Sequence, residues 1–170
     1  MPKAKSRKRI DEDEMPIVEP LPLDPVKKVP VETSMILDME GKGAEVASAL
    51  IVNGLSAFLA VTNKGVNLVA TNRATTEFLP VKITSRANWP ELDLKRDDAE
   101  RLEKAGAVLA FLAGEDDDRT TWYLSVGEFL SKARDRGEST LSIKIDDHWE
   151  WLEKFEGHAG IKKAFAKLLK

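Results

Sequence analysis

The sequence lacks cysteine entirely and contains only two histidines, His148 and His158. Without cysteine there is neither a disulfide framework nor a thiolate metal site, and two histidines alone do not supply the ligands of a zinc site. No apolar run approaches the roughly 20 residues that span a bilayer, and no signal-peptide core follows Met1. These absences predict a cytoplasmic protein without a membrane partner.

Charge of neither sign dominates, because 26 basic and 29 acidic residues leave a net charge of −3. This balance argues against a uniformly basic nucleic-acid-binding surface. A short basic block from Lys3 to Arg9 is followed at once by the acidic block Asp11 to Glu14, and six of the eight prolines lie before residue 31. Because proline removes backbone donors and favours extended neighbours, we predict a disordered or extended arm over residues 1–34 and one folded domain over residues 35–170.

Hydrophobic periodicity from Met35 onward predicts the element order α-β-β-β-α-β-β-α-β-α-α, an α/β (α+β) fold with a mixed sheet and helices packed over it. The predicted strands cover residues 55–62, 66–71, 77–84, 107–113, 120–125 and 141–145. The first three of them are expected to form an antiparallel meander. Two short helices close the chain, with breaks near Gly157 and Gly160.

Two of the predicted strands carry a motif at matched spacing. The second strand contains Val66-Asn-Leu-Val-Ala70, and the third contains Leu79-Pro-Val-Lys-Ile-Thr-Ser85. The preceding helix contains Gly43-Ala-Glu45. Together these segments resemble the metal-binding hairpin of the PD-(D/E)XK nuclease superfamily, whose second strand ends in Asp and whose third strand carries Glu, Asp or Gln, one spacer residue and Lys. The resemblance extends from Gly43 to about Leu130.

The resemblance implies a restriction-endonuclease-like αβββαβ core with additional C-terminal helices. It also implies a variant active site, in which Lys82 keeps the lysine while Asn67 and Pro80 stand at the acidic positions. The catalytic candidates are therefore Lys82, Glu45 and Asn67. Mg²⁺ or Mn²⁺, if the protein is active, would be held by Glu45, Asn67 and the Pro80 backbone carbonyl. One carboxylate and one amide make a poor site for such an ion, so no cofactor is expected.

Each candidate also has a simpler structural interpretation. Glu45 can be a solvent-facing helix residue, Asn67 can bridge the hairpin by bonding backbone groups, and Lys82 can lie on an exposed sheet surface. Another acid, Glu77, lies five residues before Lys82 and so points to the opposite side of a regular strand. It would reach the site only through a bulge near Pro80.

The preferred hypothesis is a catalytically impaired protein of nuclease fold that binds nucleic acid, DNA rather than RNA, or a protein partner. The candidate phosphate contacts are Lys64, Arg73, Lys82 and Arg86. One alternative is an active Mg²⁺- or Mn²⁺-dependent endonuclease with a variant site. Another is a structural or inhibitory subunit that works through protein contact.

Overall fold

A computed structural model describes residues 31–60, 65–86, 91–114 and 119–170, and for residues 31–40 and Arg86 it describes the backbone alone. Its strands are β1 Ser56–Leu59, β2 Leu68–Thr71, β3 Phe78–Arg86, β4 Glu91–Lys95, β5 Val108–Ala113, β6 Thr120–Ser125, β7 Arg134–Gly137 and β8 Thr140–Lys144. They form a five-stranded sheet of order β1-β2-β3-β5-β6 and a three-stranded sheet of order β4-β8-β7.

Five α-helices and one short 3-10 helix accompany the sheets in the described part of the chain. They are α1 Val31–Val52, α2 Arg96–Lys104, α3 Val126–Lys132, α4 Ile145–Leu152, the 3-10 helix Glu153–Phe155 and α5 Gly157–Ala164. None of these helices combines the length and the apolar character that crossing a membrane requires.

The five-stranded sheet is mixed, as the sequence predicts. Strands β1, β2 and β3 form the expected antiparallel meander, β5 runs parallel to β3, and β6 returns antiparallel to β5. Parallel neighbours need a crossover connection, and here it contains β4 and α2. All six residues of β5 are buried, which explains why its sequence is wholly apolar.

Two buried clusters lie on opposite sides of the five-stranded sheet. What we call the α1 face packs against α1 and α5; its buried residues include Leu68, Val81, Ile83, Val108 and Tyr123. What we call the α2 face packs against α2, α3 and the three-stranded sheet; its buried residues include Leu109, Phe111, Trp122 and Leu124. Side chains alternate between the faces along each strand.

Two strands were not predicted. Strand β4, with the sequence Glu-Leu-Asp-Leu-Lys, pairs with β8 and buries Leu92 and Leu94. Strand β7 is exposed along its whole length and has no apolar alternation, so only its pairing with β8 defines it. Helix α1 begins at Val31, four residues before the predicted start of the domain.

The prediction of a helix break at Gly160 is wrong. Helix α5 begins at Gly157 and continues through Gly160, which is buried against the preceding 3-10 helix. A Cβ atom at Gly160 would overlap the carbonyl oxygen of Phe155. Glycine is therefore present here because α5 approaches the backbone of Phe155 closely, not because the helix ends.

Candidate functional site

Asn67 bridges the three strands of the meander just before β2 begins. Its backbone N–H donates to the Val81 carbonyl at 2.9 Å, and its carbonyl accepts from the Ala60 N–H at 3.0 Å. Its side-chain Oδ1 accepts from the Ile83 N–H at 2.8 Å. The one side-chain oxygen that Asn67 could offer to a metal is thus engaged by the backbone of β3, as the structural interpretation of this residue predicts.

Pro80 lies inside β3, opposite Val69 of β2 and one residue before the pairing with β5 begins at Val81. Proline lacks an N–H donor, so a position outside one of the two ladders suits it. The register between β2 and β3 runs without a shift from the Thr71–Phe78 pair to the Leu68–Val81 pair. No bulge therefore turns Glu77 towards Lys82, and Glu77 is exposed ahead of the strand.

Lys82 points to the α2 face, because its neighbours Val81 and Ile83 are buried in the cluster on the α1 face. Its side chain is half-buried. Burial lowers the pKa of Lys82, the carboxylate of Asp98 partly offsets that effect, and the guanidinium of Arg101 adds to it. The charged groups that act on this lysine therefore come from α2.

Asp98 and Arg101 form an ion pair one helical turn apart on α2, with an N–O distance of 2.5 Å. The Arg101 guanidinium lies against the backbone of Gly65, so closely that a Cβ at that position would overlap it. Gly65 also has a φ of 88°, which favours glycine. The loop before β2 and the helix α2 are thereby joined next to Lys82.

Glu45 lies on the other side of the sheet. It extends from α1 and forms an ion pair with Arg119, which immediately precedes β6. The pair borders a cleft of about 260 Å³ that includes Tyr123 and Asn53. Burial raises the pKa of Tyr123 well above the usual tyrosine value, and the Glu45 carboxylate raises it further. The structure does not bring Glu45 to Lys82.

The four proposed phosphate contacts differ in how far the structure describes them. Arg73 is exposed in the loop between β2 and β3, where its Nε donates to the Gly54 carbonyl at 3.3 Å. Lys82 is half-buried on the α2 face. Lys64 lies outside the described residues, and Arg86 is described only as the last backbone residue of β3.

The donor set does not fit the divalent metal that the resemblance implies. Within the described residues, no three acidic or histidine side chains converge to hold a metal ion. Of the proposed ligands, the Asn67 oxygen accepts from Ile83 and Glu45 lies on the α1 face, so the Pro80 carbonyl would remain with no side-chain carboxylate beside it. Mg²⁺ commonly takes one or two carboxylates from a protein, so this set is inadequate.

Sequence reasoning missed two residues around Lys82. Neither Asp98 nor Arg101 is a candidate site residue on the sequence alone. Both lie on the exposed side of α2, three residues apart, and no local signal shows that this turn of the helix passes the end of β3. Only the crossover between β3 and β5 places them there.

Comparison with known proteins finds similar solved structures but no similar sequence. No protein-family model matches the sequence, and no curated protein matches it. The structure is similar to that of Hjc, a Holliday junction resolvase from the archaeal hyperthermophile Archaeoglobus fulgidus, with 17% identity and a TM-score of 0.47. The match covers 64% of this chain and 85% of that chain.

The strand order itself carries the fold assignment. A helix, an antiparallel meander, a crossover helix and a strand parallel to the third member of the meander are the αβββαβ arrangement that the resemblance implies. The observed strand order is therefore that of the predicted restriction-endonuclease-like core, and Lys82, Asn67 and Pro80 lie on the β2–β3 hairpin where the resemblance places them.

Proposed function

We propose that the chain is a protein of nuclease fold that binds nucleic acid and is impaired in metal-dependent cleavage. The observation that carries the proposal is that the expected metal ligands do not converge beside Lys82: Glu45 is on the opposite face of the sheet, and the Asn67 side-chain oxygen is bonded to β3. A metal-assisted hydrolysis needs a cation that neutralises phosphate charge. A lysine without that cation can still hold a phosphate.

The electrostatic environment of Lys82 supports phosphate contact. Asp98, the acid that acts on Lys82, is itself paired with Arg101. Lys82 forms no ion pair with any side chain in the described ranges. Its charge is therefore available to an anionic ligand, and Arg73 supplies a second, exposed cation on the same hairpin. Sequence-independent phosphate contacts of this kind make binding strongly dependent on salt.

A binding assay with matched lysine variants tests the proposal. Fluorescence anisotropy would be measured with labelled DNA and RNA, single-stranded and duplex, at low and physiological salt. We expect Lys82→Ala to weaken binding and to lower the salt slope by about 1. Lys162→Ala removes an exposed lysine on α5, at the opposite face of the sheet. It is expected to change neither the binding affinity nor the salt slope. Affinity that does not vary with salt would count against phosphate binding.

Incubation of the protein with plasmid and short RNA, with and without Mn²⁺, separates the proposal from the endonuclease alternative. The proposal expects no cleavage above that of a buffer control. Mn²⁺-dependent cleavage that Lys82→Ala abolishes and Lys162→Ala retains would establish an active variant site. If the protein binds none of the nucleic acids and instead forms a stoichiometric complex with a protein, the subunit alternative replaces the proposal.

A further inference from the structure

The α2 face is covered only in part. Helices α2 and α3 and the three-stranded sheet pack over β5 and β6. Over the meander, by contrast, Phe58 of β1 lies opposite Val69 of β2, which lies opposite Pro80 of β3, so the three side chains share this face. Phe78, two residues before Pro80, shares it too. We call Phe58, Val69, Pro80 and Phe78 the open strip.

The two phenylalanines of the open strip are exposed to solvent. Phe58 and Phe78 each keep 54% of their surface accessible, whereas Phe111 on the covered part of the same face keeps 2%. Phe58 and Phe78 lie two strands apart, with the partly buried Val69 and Pro80 between them. Single exposed apolar residues are normal on protein surfaces, but apolar residues grouped on one face form a patch that commonly marks an interaction site. The strip is therefore a candidate binding surface for a flat apolar group.

Two basic residues, Lys82 and Arg73, lie near opposite ends of the open strip. Lys82 follows Pro80 on the same face, about 7 Å farther along β3, and Phe78 lies about 13 Å from Lys82 at the usual rise per residue. Arg73 lies in the loop beyond the other end, where it is exposed. One acid, Glu77, is exposed beside Phe78. The surface thus offers aromatic rings beside Lys82. Arg73, whose Nε donates to the Gly54 carbonyl, lies in the loop that precedes Phe78.

We propose that the open strip stacks the bases of a single-stranded nucleic acid while Lys82 and Arg73 contact its phosphates. This inference rests on the proposed function and specifies its ligand. Bases present their flat faces only when they are unpaired, and aromatic side chains on an open sheet surface bind them by stacking with little sequence preference. A duplex would meet the cations but not the rings, so the strip predicts a preference for single strands.

The test compares phenylalanine variants with a matched control in the full chain. Anisotropy would be recorded with a labelled single-stranded homopolymer and a duplex of the same length at one salt concentration. Phe58→Ala and Phe78→Ala are each expected to weaken single-strand binding at least about fivefold and to leave duplex binding within about twofold. Phe58→Trp retains a ring and is expected to retain the affinity. Val52→Ala removes an apolar residue that is 83% exposed outside the strip and is expected to change neither affinity.

Four outcomes would overturn the inference. Equal weakening for single strand and duplex, or no weakening in the Phe58→Ala/Phe78→Ala double variant, would remove stacking but leave phosphate binding, and so the proposed function, in place. If sedimentation shows a dimer that the double variant dissociates without a change in single-strand affinity, the occupant of the strip is a second copy of the chain. A wild-type protein that binds no nucleic acid at low salt refutes the proposed function itself.

Discussion

The α1 face and the α2 face of the five-stranded sheet differ in how completely they are covered. On the α1 face, α1 and α5 enclose a continuous apolar cluster across all the strands that contribute to it. On the α2 face, the cover is complete over β5, reaches Lys82 on β3 only in part, and leaves Phe58 and Phe78 of the open strip exposed. The α1 face is therefore mainly core, whereas the α2 face of the meander keeps side chains that a ligand can reach.

The charged residues of the expected site are also divided between the two faces of the sheet. Glu45 and Arg119 pair with each other on the α1 face, whereas Lys82 on the α2 face has no ion-pair partner among the residues described. An acid and a base of one expected site are thus separated by the thickness of a sheet. A metal site cannot form across that layer, but a phosphate-binding surface needs only the cation.

The strongest way to test the comparison is to truncate one phenylalanine on each face. Phe165 is fully buried on the α1 face, where it makes an edge-on contact with Tyr123. Phe165→Ala is expected to lower the free energy of unfolding by about 3–5 kcal/mol, because it leaves a cavity. Phe58→Ala, on the open strip, is expected to change it by less than about 1 kcal/mol. Urea denaturation measures both, and similar losses would show that the open strip is part of the core.

A second test exchanges glycine for alanine in a helix on each side of the sheet. In α5, a Cβ at Gly160 meets the backbone of Phe155, so Gly160→Ala is expected to destabilise by about 2–3 kcal/mol. In α3, a Cβ at Gly127 meets nothing within 4 Å, so Gly127→Ala is expected to stabilise by about 0.5–1 kcal/mol. The thermal unfolding temperature should fall for Gly160→Ala and rise for Gly127→Ala, and a Gly160→Ala variant at least as stable as the unaltered protein would contradict the packing described for α5.

Removing the N-terminal cap of α3, on the α2 face, is expected to have a smaller effect on the free energy of unfolding. Ser125 accepts from the Glu128 N–H at 3.2 Å, and the Glu128 carboxylate accepts from the Ser125 N–H at 3.1 Å. Ser125→Ala removes one of the two hydrogen bonds of this capping box and is expected to lower the free energy of unfolding by about 1 kcal/mol. Ser131→Ala, at the exposed end of the same helix, is the control and should stay within about 0.5 kcal/mol. Equal effects in urea denaturation would argue against the cap.

The smallest expected effect concerns the pH dependence of Lys82. Its pKa in the folded protein lies below the ordinary lysine value of 10.5, so the unfolded chain binds more protons in the window between the two values. The contribution of this group to the unfolding free energy therefore rises with pH across that window. Its charge is lost over the same window, so single-strand affinity should fall at most about fivefold. Anisotropy with an adenine homopolymer measures this, and a Lys82→Arg variant with an identical decline would show that Lys82 is not the cause.

The sequence predicted the elements whose pattern is local. The meander, the buried strand β5 and the helices around it follow from apolar runs and periodicities of their own residues. Strands β4 and β7 escaped prediction because their residues are largely charged and the pairing with β8 comes from elsewhere in the chain. For the same reason, Gly160 was interpreted as a break, since the close approach of α5 to Phe155 has no local signature.

The candidate site, like the fold, was predictable from the sequence only in part. The spacing of Asn67, Pro80 and Lys82 identified the hairpin from the sequence, and the register of β2 and β3 follows that spacing. By itself, the sequence determined that a lysine is present without the two acids of its motif. Only the tertiary structure decided that Glu45 lies across the sheet, that α2 brings Asp98 and Arg101 to Lys82, and that the meander stays open on one face. Those placements depend on which surfaces the helices cover, and that is set by contacts between distant segments rather than by any local pattern.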